Sequence, residues 1–401
     1  RTGCGRVFSS VSMRCVLRQM PDPILGKAPG WSKELTWTFM GWVLWQCVFL
    51  TLSLQAVHFV SVEDPQHNTM PPTGASEARL WHLQGHWNAF LGTPIADQWF
   101  VTAKHVGGSL GDTFHLMGQP YMAVVKIPDP ESDLTLWGVS DPFPDFVPIY
   151  SGSQEAGRRT LLFGKGPSRG EAVWLEVSGS QTLRGWKWGH QHKVLRWGEN
   201  RIHHVLQDHG LVDRNLGELI VAFFDQDGLP NEAGLSGGDS GGGMFIKIHQ
   251  QWYLAGISYS AGGEFKVRES DAPFKAMLFD NGGLYQKGRS TDSGEIWIPI
   301  PLQDEPQPGQ IAGTRMSYRR DWIEQQIKSH ADPLDAIILE SAEQAEGPYE
   351  PVKHWSLVTQ PLGLKIDQIQ ETQFYRIKAH TPLKLFAPID MDTYLILPFK
   401  G

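Results

Sequence analysis

The chain has 401 residues, 41% of them hydrophobic and 19% charged, with a formal net charge of −8, 43 glycines and 27 prolines. This is enough apolar material for a core, and the glycines and prolines point to many turns between short strands, so a β-rich protein is expected. An acidic balance with no long basic run excludes a nucleic-acid footprint.

The first element along the chain is an export segment. Thr36 to Val60 carries no Asp, Glu, Lys or Arg, and Phe39 to Leu54 is strongly apolar. Arg14, Arg18, Lys27 and Lys33 precede this run, whereas Glu63 and Asp64 follow it, which places the C-terminal bulk outside the cytoplasm. Residues 1–60 are therefore expected to be a signal cleaved after Ala56 or a retained anchor, with residues 36–60 long enough to cross a bilayer. Cys4, Cys15 and Cys47 all lie in or before this segment, so the rest of the chain must hold its fold without disulfides. Pro65 to Arg79 is polar and proline-bearing, and residues 61–80 are expected to be a linker.

Three segments then carry chemistry. Trp99 to Ala103 is an apolar strand followed by Lys104 and His105, and Asp133 opens an alternating strand through Leu136. Gly237 to Gly243 encloses Ser240 in five glycines and Asp239, and the apolar Met244-Phe245-Ile246 that follows at once reads as a buried strand. Such a turn lets backbone N–H groups converge beside the Ser240 hydroxyl and leaves room for another backbone. A serine hydroxyl is a poor nucleophile at neutral pH and needs a histidine base held by a carboxylate. Taken singly, a histidine after a strand or an aspartate before one is more often structural. The order His105, Asp133, Ser240 makes a catalytic set the better account.

These segments resemble the TAAHC, DIAL and GDSGGP motifs of chymotrypsin-like serine peptidases, in the chain order particular to that fold. Gly92 to Ile95 resembles the turn ahead of the histidine strand, and Trp252 to Tyr259 resembles the strand that pairs with substrate. Tyr318 to Ile327 resembles the closing helix, with Tyr318, Trp322, Ile323 and Ile327 expected on one buried face. The resemblance covers residues 81–330. It implies an all-β fold of two six-stranded antiparallel β-barrels with a C-terminal helix, of the disulfide-free bacterial type. It also implies His105 as base, Asp133 as its orienting acid, Ser240 as nucleophile, and the N–H groups of Gly238 and Ser240 as the oxyanion hole. The substrate would be a protein or peptide, and no cofactor is implied.

Two departures qualify the resemblance. No Arg-Ile-Val-Gly-Gly-like junction lies between Val60 and Trp81, so Asp239 needs a partner other than a freed N-terminal amine. Six residues before Ser240 stands Gly234, where a trypsin-like pocket carries an acid. With Ser258, Tyr259 and Ser260 on the opposite wall, Gly234 leads us to expect a preference for apolar or small side chains. Glu232 is the nearest carboxylate able to alter that expectation.

The histidine-rich stretch His190, His192, His203, His204 and His209 lacks a ligand quartet, and Asp225 to Gly228 lacks the later Glu of a calcium loop, so no metal is expected. After Lys328 the composition shifts to short strands punctuated by Gly347-Pro348, Gln360-Pro361 and Thr381-Pro382. Residues 331–401 are expected to form a small β-sandwich-like accessory domain suited to binding a surface partner. An alternative function is a catalytically silent binding or adhesion protein, and an esterase would use the same acyl chemistry.

Overall fold

The computed structural model describes residues 57–400 apart from 63, 65, 192, 208–215, 289–293 and short stretches after residue 330 (331–336, 343–349, 353–354, 360–361, 367–373, 380–383, 386–388 and 391–394). The export segment up to residue 56 and His192 and His209 lie outside the described residues.

The fold is all-β, and its centre is a pair of closed six-stranded antiparallel barrels. The first is built from β2 (Gly85–Trp87), β3 (Phe90–Ala96), β4 (Trp99–Ala103), β5 (Thr113–Leu116), β6 (Gln119–Pro128) and β7 (Leu134–Val139), in the order β2-β3-β4-β7-β6-β5. The second takes β8 (Arg159–Gly164), β11 (Arg196–Leu206), β12 (Leu219–Phe223), β14 (Gly243–Ile248), β15 (Gln251–Ala261) and β20 (Gln310–Arg315), in the order β11-β12-β20-β15-β14-β8. Closing each sheet on itself removes its edges. Trp87, Phe100, Phe114 and Trp137 form one fully buried aromatic cluster, with Phe100 and Phe114 stacked at 4.0 Å. Leu162, Ile202, Ile220, Met244 and Ile246 belong to a second cluster.

A third sheet has no counterpart in the sequence-level expectation. The hairpin β9 (Pro167–Val177) and β10 (Ser180–Gln191) and the strands β16 (Gly263–Lys266), β17 (Phe274–Leu278), β18 (Tyr285–Lys287) and β19 (Trp297–Pro299) assemble as β19-β18-β16-β17-β10-β9. Both segments are insertions between consecutive barrel strands, and they meet where β10 pairs with β17 through Trp186 and Met277.

The helix α2 (Met316–Ser329) follows β20. Its buried residues are Met316, Arg319 and Ile323, and Trp322 and Ile327 pack against the core as expected, whereas Tyr318 is exposed. The cause is Arg319, whose guanidinium is drawn inward by the carboxylates of Asp129 and Glu131. After it, strands between Ile337 and Lys400 form a three-stranded and a five-stranded sheet. Leu339, Leu364 and Ile366 are buried in the same apolar cluster as the barrel residues Leu136 and Phe245.

The stretch expected to be export segment and linker contributes to the folded body. Val57, His58 and Phe59 are buried, and β1 (His58–Phe59) pairs with β13 (Ala233–Gly234). The helix α1 (Ala75–His82) buries Leu80. His58 is enclosed with neither ring nitrogen hydrogen-bonded among the described residues, and burial, reinforced by Arg169 and Arg196, pushes its pKa down to about 3. The folded state therefore resists a proton that the unfolded chain accepts at its ordinary value of 6.5. Stability is undiminished above that value and declines as pH falls from 6.5 toward 3. His58→Phe is expected to flatten this acid slope, gaining roughly 3 kcal/mol over the parent at pH 4.5 relative to pH 7.5 in paired urea titrations. An equal pH dependence in both proteins would exclude His58 as its source.

Candidate active site

Strand register explains how the His and Asp segments meet. β4 and β7 pair with Thr102 opposite Thr135 and Ala103 opposite Leu134, so the residues just beyond these strands emerge side by side. Lys104 donates its N–H to the Asp133 carbonyl at 3.0 Å, and His105 sits in the single 3-10 turn Lys104–Val106. The Asp133 carboxylate is buried, and both oxygens face His105. Oδ1 accepts the His105 backbone N–H at 3.0 Å, and Oδ2 lies 2.6 Å from Nδ1. The other ring nitrogen, Nε2, is 2.8 Å from Ser240 Oγ. The ring of Tyr259 stands edge-on to the imidazole at 5.9 Å.

The loop carrying Asp133 is fastened from behind. Arg319 of α2 grips Asp129 with two charge-assisted bonds of 2.6 and 2.7 Å, and Lys104 Nζ donates to the Asp129 carbonyl at 2.7 Å. Both Arg319 and Asp129 are buried, and each neutralises a charge that would be costly alone.

Ser240 comes from the second barrel, and the first barrel braces it. The Leu91 N–H points to the Ser240 carbonyl at 3.4 Å, and the Gln84 side chain accepts the Gly243 N–H at 3.0 Å. Gly241 donates to Ser258 at 3.0 Å, and Ser258 donates back to Gly242 at 2.9 Å. Gly238 has φ +111°, a conformation that only glycine adopts readily. The N–H groups of Gly238 and Ser240 find no acceptor among the described residues. Gly241 has φ +80°, and a Cβ there would collide with the Leu91 carbonyl oxygen and the Thr102 hydroxyl, both fixed by the 2.7 Å bond between them. Gly241→Ala is expected to cost at least ~3 kcal/mol in chemical denaturation. Gly179→Ala, with the same φ of +80° but open space around it, should cost only ~1 kcal/mol.

Asp239 finds its partners in the backbone. Its Oδ1 accepts the Gly166 N–H at 2.6 Å, and its Oδ2 accepts the Ser236 N–H at 2.7 Å and the Ser236 hydroxyl at 3.0 Å. Burial nonetheless pushes its carboxyl up to about 6. No terminal ammonium takes part among the described residues.

A cavity of about 200 Å³ opens beside Ser240, bounded by Trp188, Leu235, Ser236, Gly237 and the stretch Ser258 to Ala261. The sequence-derived residues Ser258, Tyr259 and Ser260 line it, whereas Gly234 does not. Gly234 is buried behind the wall, paired with His58 and pressed against Met277 and Phe224, because β1 covers the position that counting back from Ser240 assigned to the pocket floor. Glu232 also lies elsewhere. Its carboxylate accepts the Leu229 N–H at 3.0 Å, and burial pushes its pKa up to about 7, in a separate cavity with Asp225 and Asp227. Trp188 was not foreseen, since only the inserted sheet brings it to the site. Among the described residues, no group of three His, Cys, Asp or Glu side chains is arranged to hold a metal.

Chemically, His105 Nε2 can accept the proton of Ser240 Oγ, and the imidazolium so formed is stabilised by Asp133, beside two N–H donors without an acceptor among the described residues. No protein-family model matches the chain, and no curated protein matches it.

Proposed function

We propose that the protein is a serine endopeptidase that hydrolyses peptide bonds through an acyl-enzyme. The observation that carries this is the continuous hydrogen-bond chain Asp133–His105–Ser240, at 2.6 and 2.8 Å, next to the unengaged N–H groups of Gly238 and Ser240. As Ser240 Oγ attacks the substrate carbonyl, its proton passes to His105 Nε2, and the two N–H groups take up the developing oxyanion, each donor being worth about 3 kcal/mol. His105 then delivers that proton to the leaving amine. Water enters next, gives its proton to His105 and releases the acid product, returning Ser240 to its starting state.

The cavity supports acceptance of a neutral side chain. Asp239, its one carboxylate, is committed to Gly166 and Ser236, so no free anion waits for Lys or Arg. The charge asymmetry around the apolar run at residues 39–54 supports action outside the cytoplasm. The test is casein digestion by the purified full chain together with labelling by a serine-directed phosphonate. Both are expected; absence of both in folded protein would favour a silent binding protein, and cleavage of esters but not peptides an esterase.

A further inference from the structure

The pocket wall farthest from the triad segments in sequence is Trp188, and pairing across the inserted sheet explains its position. Lys187 on β10 pairs with Ala276 on β17, and Ala276 pairs in turn with Gly263 on β16, so one row crosses three strands. Trp188, the next residue after Lys187, lies beside Gly262, the residue immediately after β15. A Cβ on Gly262 would stand 3.4 Å from the indole Cζ2, and one on Gly237 would stand 2.8 Å from Cζ3. The indole thus spans the gap between the nucleophile turn and the strand edge on which Ser258 to Ala261 stand. The bare Cα of Gly237 makes room for it, and its Nε1 has no hydrogen-bond partner among the described residues, so no hydrogen bond orients it there. The Lys275 ammonium lies 5.8 Å from the ring centroid.

Resting on the endopeptidase reading, we propose that Trp188 is the specificity-determining wall of this pocket and selects an aromatic or bulky aliphatic side chain on the acyl side of the cleaved bond. The physical basis is shape and polarity. The indole on one side and the strand residues Ser258 to Ala261 on the other bound a cavity of about 200 Å³, to which Leu235 adds apolar surface, room enough for an aromatic or bulky aliphatic group. The cavity offers such a group dispersion contact and offers a cationic group no free carboxylate, since Asp239 is committed to Gly166 and Ser236. Because no directional bond fixes the indole, another aromatic ring at position 188 should preserve the slot, whereas alanine should open it into a wider, wetter recess.

The test compares the parent, Trp188→Phe and Trp188→Ala on peptides that differ only in the residue preceding the cleaved bond. The parent is expected to favour Phe, Tyr and Leu over Ala, Lys and Glu. Trp188→Ala should lose about 10-fold or more in kcat/KM for Phe, carried by KM, while Trp188→Phe stays within about 3-fold. Thermal melting of each variant separates a lost wall from a lost fold. A second measurement needs no turnover: calorimetric binding of N-acetyl-phenylalaninamide to Ser240→Ala protein with and without Trp188→Ala. Active parent enzyme with an unchanged side-chain ranking in Trp188→Ala would overturn the assignment and leave the endopeptidase intact. An inactive parent that binds the amide in a Trp188-dependent way would sink the endopeptidase but uphold the wall. An inactive parent that binds nothing would sink both.

Discussion

Replacement of Ser240 by alanine is expected to lower peptide hydrolysis by on the order of 10⁴- to 10⁶-fold and to abolish phosphonate labelling, while leaving the melting temperature close to that of the parent. The size of the effect follows from chemistry rather than packing. Removing Oγ leaves the 2.6 Å pair of His105 and Asp133 intact and changes neither the glycine turn nor the bond from Gly241 to Ser258. What is lost is the covalent path, so the remaining rate would come only from substrate binding and the Gly238 and Ser240 N–H groups. Active-site titration of parent and variant, followed by casein digestion over long incubation, gives the measurement. Hydrolysis by the variant within 10-fold of the parent would exclude Ser240 as the nucleophile.

Asp133→Asn is expected to cost about 10⁴-fold in kcat with little change in KM, because the amide cannot serve both of the carboxylate's bonds. Oδ1 receives the His105 backbone N–H and Oδ2 receives the ring N–H from Nδ1. An asparagine has one oxygen for these two donors and must turn its NH₂ toward one of them. If the NH₂ meets the ring, His105 is driven into the tautomer whose Nε2 carries a proton and cannot accept one from Ser240. The loop itself should keep its place, since Arg319 and Lys104 hold it through Asp129 and through the Asp133 backbone carbonyl, none of which the substitution touches. The checks are a kcat and KM comparison and a melting curve. A loss confined to KM would assign Asp133 to substrate binding, and a large fall in melting temperature would assign it to the fold.

Much of the site was legible in the residues. The turn around Ser240 announces itself because five glycines surround one serine, and His105 and Asp133 each flank a strand whose apolar character can be read directly. The two barrels are what the resemblance of these segments to chymotrypsin-like peptidases implies, and the fold has them. The primary pocket was not legible in the same way. Counting back six residues from Ser240 names Gly234 as the floor, but counting along the chain cannot reveal that β1 pairs over that residue and seals it behind Met277. Nor does the Trp186-Lys187-Trp188 alternation say which barrel its hairpin will reach, because β10 finds β17 only after two insertions, far apart in the chain, enter one sheet.

The sequence by itself determined the chemistry on offer: a hydroxyl, an imidazole and a carboxylate in a telling order, a backbone free to form a tight turn, and no spare carboxylate at the expected pocket position. These are properties of residue type and local spacing. The tertiary structure alone decided which groups meet. His105 and Asp133 are 28 residues apart, and His105 and Ser240 are 135 apart; strand register closes the first gap and contact between the barrels closes the second. The same holds for the partners of Asp239, the burial of His58, and Trp188 beside the glycine turn. Pairing and burial of this kind depend on long-range packing of surfaces, to which a local pattern of residues carries no coordinate.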